Sequence, residues 1–461
     1  MKAFALAGKI LSVVLCASMT CAVFAGCNKG DDLFPSINSE SNESDPSESS
    51  SEASNTGADS EISQLKVALP YSDLTVQCLV AMMYSKNNGL WDSTENGLTI
   101  DTDYLSTIAT NYVVTNVGSG SAGASLDMIK TWKSSNEMPD LFLSQDSMSA
   151  WEAGYIQPLN DFVSDNKYLD VQKIYSNALT ANSQNGIFYG IPHSCSAQVI
   201  LGNTEFIPTK SGILQTRNTT DELKAYLKKI KKEYSCTPFA SAYELVPYLS
   251  SAFNDDKQTS YMAYEEYKKD NDSAKGIINR SASYVKDLYS SGLAQDLIGG
   301  ADPIYSRKAA LWVESSANIK GWADYYPGKL YVLHLPCKDV TNNGIPYIST
   351  YSLCVSKECT NSDFAAEFAA FISYDPDAQL LIYRLEDMTG FMPLTRNDSV
   401  WDMISENELF GHMATDFRQV MDNAVYCPES FDSKLFSSTN EYMAVFVRRN
   451  DEFDPEKCYG G

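Results

Sequence analysis

The chain has 461 residues, 44% of them hydrophobic and 11% aromatic, which is enough to bury a core and excludes a wholly disordered chain. Its formal charge is −24, from 35 basic and 59 acidic residues, a balance that repels nucleic acid and anionic lipid surfaces. Three histidines leave few candidates for a His-rich metal site or a His-based triad, and the length predicts two or three domains or one large two-lobed one.

The first 27 residues carry Lys2 and Lys9 as their only charges, and an apolar run from Ile10 to Gly26 comes next. That is the pattern of a secretory signal peptide. At about 17 residues the run is short for a membrane span, and Ser12, Ser18 and Thr20 interrupt it. It ends in Val23-Phe24-Ala25-Gly26-Cys27, which resembles the lipobox of bacterial lipoproteins. The resemblance implies that the signal is removed, that Cys27 is lipid-modified, and that the protein is anchored at the extracellular face of the cell membrane. Residues 28–64 hold eleven Ser and nine acidic residues against Lys29. So little apolar surface cannot offset the chain entropy, so this stretch reads as a disordered, extended tether.

Leu65–Pro70 reads as a strand, Tyr71-Ser72-Asp73 as a turn, and Thr75–Tyr84 as a helix. Tyr112–Val117 is a second strand. Ser125–Ser134, with Leu126, Ile129 and Trp132 at helical spacing, is a second helix, and Leu141–Leu143 is a third strand. Alternating strands and helices predict a parallel sheet with covering helices, whose ligands lie beyond the carboxyl ends of the strands. Thr219 and Glu222 form a capping box opening a helix through Lys232. Its five lysines read as a solvated face and not as a nucleic-acid patch. Ser281–Ser291 and Asp363–Ile372 read as helices; Leu311–Val313, Leu330–Leu335 and Ile345–Val355 read as strands.

Gly118, Gly120 and Gly123 fit the dinucleotide pattern G-x-G-x-x-G between a strand and a helix. Asp140, however, precedes the next strand instead of ending it, and the loop comes after the second strand of the sheet. The glycines read as relief of backbone crowding. Beyond Cys27, the eight cysteines Cys78, Cys195, Cys236, Cys337, Cys354, Cys359, Cys427 and Cys458 form no CxxC and read as free and mostly buried, with no metal site. Acid pairs such as Glu314 and Asp324 exist, but 59 acids make such pairs common. No Gly-x-Ser-x-Gly or His-Glu-x-x-His occurs, and Ser-x-x-Lys, at Ser63–Lys66 and Ser283–Lys286, falls in the wrong order for a penicillin-binding enzyme. No catalytic residue and no cofactor are expected.

From residue 139 onward a set of landmarks appears in order. They are Pro139-Asp140-Leu141-Phe142-Leu143; Trp151-Glu152-Ala153-Gly154-Tyr155-Ile156-Gln157-Pro158-Leu159; and Gly186-Ile187-Phe188-Tyr189-Gly190-Ile191-Pro192. Gly202-Asn203 to Phe206, Tyr305 to Trp312, and Gly390-Phe391-Met392-Pro393 complete it. The ordered set resembles the extracellular solute-binding proteins of ABC importers, specifically the carbohydrate type that includes maltose-binding protein; Gly202 stands where that family usually has Tyr. The resemblance implies an α/β, two-lobed periplasmic-binding-protein-like fold whose crossover strands form a hinge, with the ligand in the cleft between lobes. It implies a first lobe of 65–192 plus 306–356 and a second of 196–302 plus 360–461.

A sugar needs flat rings for its C–H faces and planar polar groups for its hydroxyls. Strand-end loops offer Tyr71; Ser144, Gln145 and Asp146, with Trp151; His193 and Ser194; Trp312, Glu314 and Ser315, with Trp322; Tyr351; and Phe391. Several have structural readings as well: Asp146 as a helix N-cap, Trp151 and Trp312 as core, His193 as an incidental loop residue. The functional expectation is a monomeric, tethered lipoprotein that is not an enzyme. It captures a small solute, a sugar or oligosaccharide, by lobe closure and delivers it to ABC permease subunits. The alternatives are a polyamine receptor using Asp73, Asp146 and Glu314, a receptor feeding a sensor, and a secreted lipoprotein glycoside hydrolase.

Overall fold

The computed structural model describes residues 63–91, 105, 108, 112–119, 123–160, 162, 167–168, 172–175, 178, 183–184, 187–254, 260–297, 299–339, 347–386, 388, 390–408, 411–423, 425–426, 433–449 and 451–459. The signal peptide, Cys27 and nearly all of the acidic tether lie outside the described residues.

β1 (Ser63–Ala68) pairs in parallel with β2 (Tyr112–Asn116) and β3 (Leu141–Ser144), as the strand–helix alternation predicts. The intervening helices are α1 (Asp73–Asn87), α2 (Leu126–Ser135) and the short α3 (Ser147–Glu152). α1 and α2 start where a serine can take an otherwise orphaned backbone N–H: Ser72 accepts from Thr75, and Ser125 from Met128. β4 (Ser183–Gln184) and β5 (Ile187–Phe188) form a small hairpin, after which the chain enters β6 (Ile191–Asn203).

β6 organises the molecule. It has 13 residues, almost all buried. Ile191–Gln198 pair antiparallel with β11 (Tyr347–Val355), and Gln198–Gly202 pair antiparallel with β9 (Ala309–Ser315). Beyond β9 lie the parallel strands β7 (Thr237–Ala240) and β8 (Ala294–Gln295); β10 (Leu330–Leu333) also pairs with the far end of β6. The sheet order is β2-β1-β3-β11-β6-β9-β7-β8, so one strand joins two half-sheets. A strand that must serve both needs apolar side chains on both faces, which Ile191, Cys195, Val199, Ile200 and Leu201 supply.

The second half carries α4 (Thr220–Glu233), α5 (Ser250–Phe253), α6 (Ser260–Tyr267), α7 (Asp272–Ser290) and α8 (Ile319–Tyr325). After β11 come α9 (Ser362–Tyr374), α10 (Pro376–Leu385), the two-residue β12 (Met392–Pro393), α11 (Asp398–Ser405), α12 (Ala414–Asn423), α13 (Ser433–Phe446) and α14 (Pro455–Tyr459).

Several pairings depart from the expected division of the chain, although one face of β9 and β10 (Ala309, Trp312, Leu330 and Val332) shares a core with α9 and α10. β9 and β10, expected in the first lobe with 306–356, pair with β7 and the far end of β6 and bury Leu311, Val313, Tyr331 and Leu333 against α4 and α7. α9 and α10, expected in the second lobe with 360–461, bury Phe364, Phe368, Phe371 and Leu381 in one core with Leu65, Val67, Leu79 and Met82. Only the end of that segment, α13 and α14, sits in the second core, through Met443, Phe446 and Tyr459. The physical reason is that β11 is itself the return crossing. β9 and β10, which precede it, face both cores, and α9 and α10, which come after it, pack on the core of β1 and α1.

Gly118 and Gly123 both have φ of +73°, and a Cβ on Gly123 would stand 2.8 Å from the Leu143 carbonyl oxygen. Gly123 therefore permits a close passage of the chain against Leu143 of β3, whereas an added Cβ on Gly118 would meet open space; Gly120 lies outside the described residues. The seven described cysteines are free, five of them buried; Cys427 lies outside the described residues. Among the described residues no helix is long and apolar enough to cross a membrane.

Candidate functional site

The loop after β1 is held from three sides. Asn116 on β2 accepts from the Leu69 N–H (3.0 Å) and donates to the Tyr71 carbonyl (2.8 Å). Glu386, just past α10, accepts from both the N–H and the hydroxyl of Ser72, each at 2.8 Å, and from the Thr75 hydroxyl at 2.5 Å. Tyr71 itself turns inward, and its hydroxyl bonds Nε2 of His193 on β6. Nδ1 of the same ring meets the Ser373 hydroxyl on α9 at 3.1 Å. His193 thus has both ring nitrogens committed inside the protein and is 1% exposed. Burial holds its pKa down at about 3, so the ring is neutral. Its expected role as a donor to ligand gives way to one of fixing Tyr71.

At the end of β3, Ser144 is fully buried; its hydroxyl donates to the Ala124 carbonyl (2.7 Å) and accepts from the Asp146 N–H (2.9 Å). Asp146 occupies the N-cap position of α3 without bonding that helix; its carboxylate instead accepts from the Leu126 N–H at the start of α2, 2.9 Å away. Both side chains stitch the strand-end loop to a neighbouring helix. Gln145 between them is exposed. Trp151 is half-buried against the cluster of Phe142, Ala150 and Ile156.

The end of β9 is richer. Glu314 is half-buried, and its carboxylate accepts from the Ser315 N–H (2.9 Å), from Nδ2 of Asn318 (2.8 Å) and from Nε1 of Trp322. Desolvation pushes its pKa up against these bonds. Tyr305, 45% exposed, has its ring 5.4 Å from that of Trp322. Trp312 lies beneath, buried in the core, its ring 5.7 Å from Trp322 and 5.4 Å from Tyr326. Ser315 accepts from the Ala317 N–H and so caps the next turn. Glu244, after β7, belongs to the same acidic group: burial first, then Glu314, Asp296 and Asp302, push its carboxyl up to about 8.

The loop after α10 brings Phe391 edge-on to Tyr351, ring centres 5.1 Å apart, and the Tyr383 hydroxyl donates to the Phe391 carbonyl (2.6 Å). Ser194 is buried on β6, where it pairs with Tyr351 of β11 and Pro393 of β12.

Two groupings emerge. Tyr71, His193 and Ser194 form a buried base with Tyr351 and Phe391 above β6; Glu314, Ser315 and Trp322 form a wall at the end of β9. Ser144 and Trp312 are interior. Glu244, Tyr305, Asn318 and Glu386 escape the sequence reading because each is an ordinary acid, tyrosine or amide until the sheet order brings it to its partners.

No protein-family model matches the chain, and no curated protein matches it. Solved structures do. The GacH receptor of Streptomyces glaucescens, solved unliganded and in complex with acarbose, is 18% identical over 86% of this chain and 96% of its own, with a TM-score of 0.54. The sugar-binding protein MalE from Xanthomonas citri is 14% identical over 86% of this chain and 95% of its own, with a TM-score of 0.61. The extracellular solute-binding protein family 1 member from Alicyclobacillus acidocaldarius is 13% identical over 87% and 94%, with a TM-score of 0.56. The structural neighbours include sugar-binding and extracellular solute-binding proteins, and the fold of this chain is their two-lobed α/β fold.

Proposed function

We propose that this chain is a membrane-tethered extracellular solute-binding lipoprotein that captures a sugar or oligosaccharide by lobe closure and delivers it to an ABC permease. The observation that carries the reading is the wall at the end of β9, where a carboxylate fixed by Asn318 and Trp322 stands beside the half-exposed ring of Tyr305. Aromatic faces stack on the C–H faces of a sugar, and an oriented carboxylate accepts its hydroxyl protons. Closure against the Tyr351–Phe391 pair enlarges the contact, so ligand shifts an open–closed equilibrium. The lipobox at Cys27 and the acidic tether supply the anchor.

The test is thermal unfolding of the full chain with acarbose, maltotetraose, simple monosaccharides, spermidine and amino acids. A ligand at 100 times its Kd adds about 2.7 kcal/mol of stability. A shift with a saccharide, lost in Trp322→Ala, is the expected result; truncating such an anchor weakens binding by about tenfold or more. A shift with spermidine alone replaces the sugar with a polyamine. The paired carboxylates Glu244 and Glu314, one of them held protonated at neutral pH, favour glycoside hydrolysis as a second reading. Turnover of nitrophenyl glycosides that is lost in both Glu244→Gln and Glu314→Gln would establish it.

A further inference from the structure

We propose that Ser316 is the positioning residue that registers the two walls of the cleft, with Gly390 as its counterpart in a backbone pivot between the halves. Ser316 comes directly after Glu314 and Ser315 and is fully buried. Its hydroxyl accepts from the Ala197 N–H on β6 at 2.9 Å and donates to the Gly390 carbonyl. One side chain therefore joins the end of β9 in the second half, the crossing strand, and the loop that returns from α10 in the first half.

The contact is closer than any side chain permits. Gly390 has φ of +87°, and a Cβ there would overlap the Ser316 carbonyl group, with the carbonyl carbon 2.9 Å away. Backbone thus meets backbone at this point, and glycine alone satisfies both the left-handed conformation and the approach. The next residue is Phe391, whose carbonyl is held by Tyr383 and whose ring meets Tyr351. Whatever moves Ser316 moves the Glu314–Trp322 wall relative to Phe391, because only Ser315 separates Glu314 from Ser316 and Gly390 adjoins Phe391. Ser316 needs no contact with ligand for this; it fixes the separation at which the walls stand. The inference takes the cleft from the proposed function, but its readout needs no ligand, so the two fail separately.

The experiment places spin labels, through unnatural amino acids, at exposed Lys130 on α2 and exposed Lys228 on α4 of the full chain and measures their distance distribution by double electron–electron resonance. Ser316→Ala removes both bonds with no added bulk, and Gly390→Ala forces the backbones apart. Both are expected to displace or broaden the distribution relative to the parent chain. Thr219→Ala, which weakens the start of α4 far along the chain from the pivot, is expected to lower Tm and leave the distribution in place. If Gly390→Ala does not fold, Ser316→Ala decides alone. A Ser316→Ala protein that melts earlier yet superimposes on the parent distribution overturns the proposal, and so does an equal displacement in Thr219→Ala.

Discussion

Gly202 shows how a single position is settled by its neighbour. A Cβ there would collide with the ring of Tyr331, whose edge carbon would lie 2.6 Å away. The ring of Tyr331, paired across the strand with Gly202, fills the space that a side chain there would take. Its hydroxyl meets that of Tyr226 on α4 at 3.1 Å, so a buried phenol keeps a partner. Gly202→Ala is predicted to destabilise the protein by about 1–3 kcal/mol, the usual cost of overpacking. Tyr331→Ala in the same chain should recover part of that loss. Urea midpoints of the two single variants and the double variant check this; additive losses would separate the two positions.

Helix ends are fixed partly by neighbours in sequence and partly by distant residues. The capping box at α4 forms as its residues require: the Thr219 hydroxyl accepts from the Glu222 N–H at 3.2 Å, and the Glu222 carboxylate accepts from the Thr219 N–H at 2.8 Å. Thr219→Ala is predicted to cost about 1 kcal/mol, seen as a lower urea midpoint at constant slope. At α1 the arrangement is long-range. Ser72 caps locally, but Glu386 of the distant α10 end takes three donors from the same turn. A carboxylate at a helix N-terminus also meets the positive end of the helix dipole. Glu386→Ala is therefore predicted to cost more than the Thr219 change, about 1–3 kcal/mol, and to loosen the loop that holds Tyr71. Amide hydrogen exchange at Tyr71–Leu74 checks the second part; unchanged protection there would refute it.

For the whole molecule, buried titratable groups set the pH profile. Glu244 keeps its proton in the folded state up to about 8, whereas an unfolded glutamate loses it near 4.3. Between those values the folded state binds more protons, so this group's contribution to stability falls as pH rises. His193 and His334 act with the opposite sign: burial lowers them to about 3 and about 4, so the unfolded chain binds more protons below about 6.5 and stability falls on acidification. The two effects oppose each other below about 6.5, which leaves the Glu244 effect exposed from there to about 8. Stability is predicted to decline over that upper window, and the decline should be shallower in Glu244→Gln. Melting curves in steps from pH 6.5 to 8.5 check it; equal slopes in both proteins would refute it.

Features that depend on neighbours along the chain are legible in the residues alone. The succession of apolar runs and helix-like segments set β1, β2, β3, α1 and α2, because side-chain patterning is local, and the Thr219–Glu222 spacing set the start of α4, because that cap is satisfied within three residues. The order of short landmarks also carried the fold, since each marks a turn or strand end the fold requires. The tertiary structure decided everything that depends on which strands lie side by side. The return crossing at β11 sends α9 and α10 back to the first core, a fact that no local pattern contains. Asp146 reads as a cap for its own helix, yet the β3–α2 packing gives it the neighbouring one. His193 reads as a lone loop histidine until Tyr71 and Ser373 arrive from 122 and 180 residues away. Ser316 and Gly390 are ordinary in sequence; only the meeting of two backbones at the crossing strand makes one a link and the other obligatory, because a close approach across 74 residues is a property of the sheet order and not of either segment.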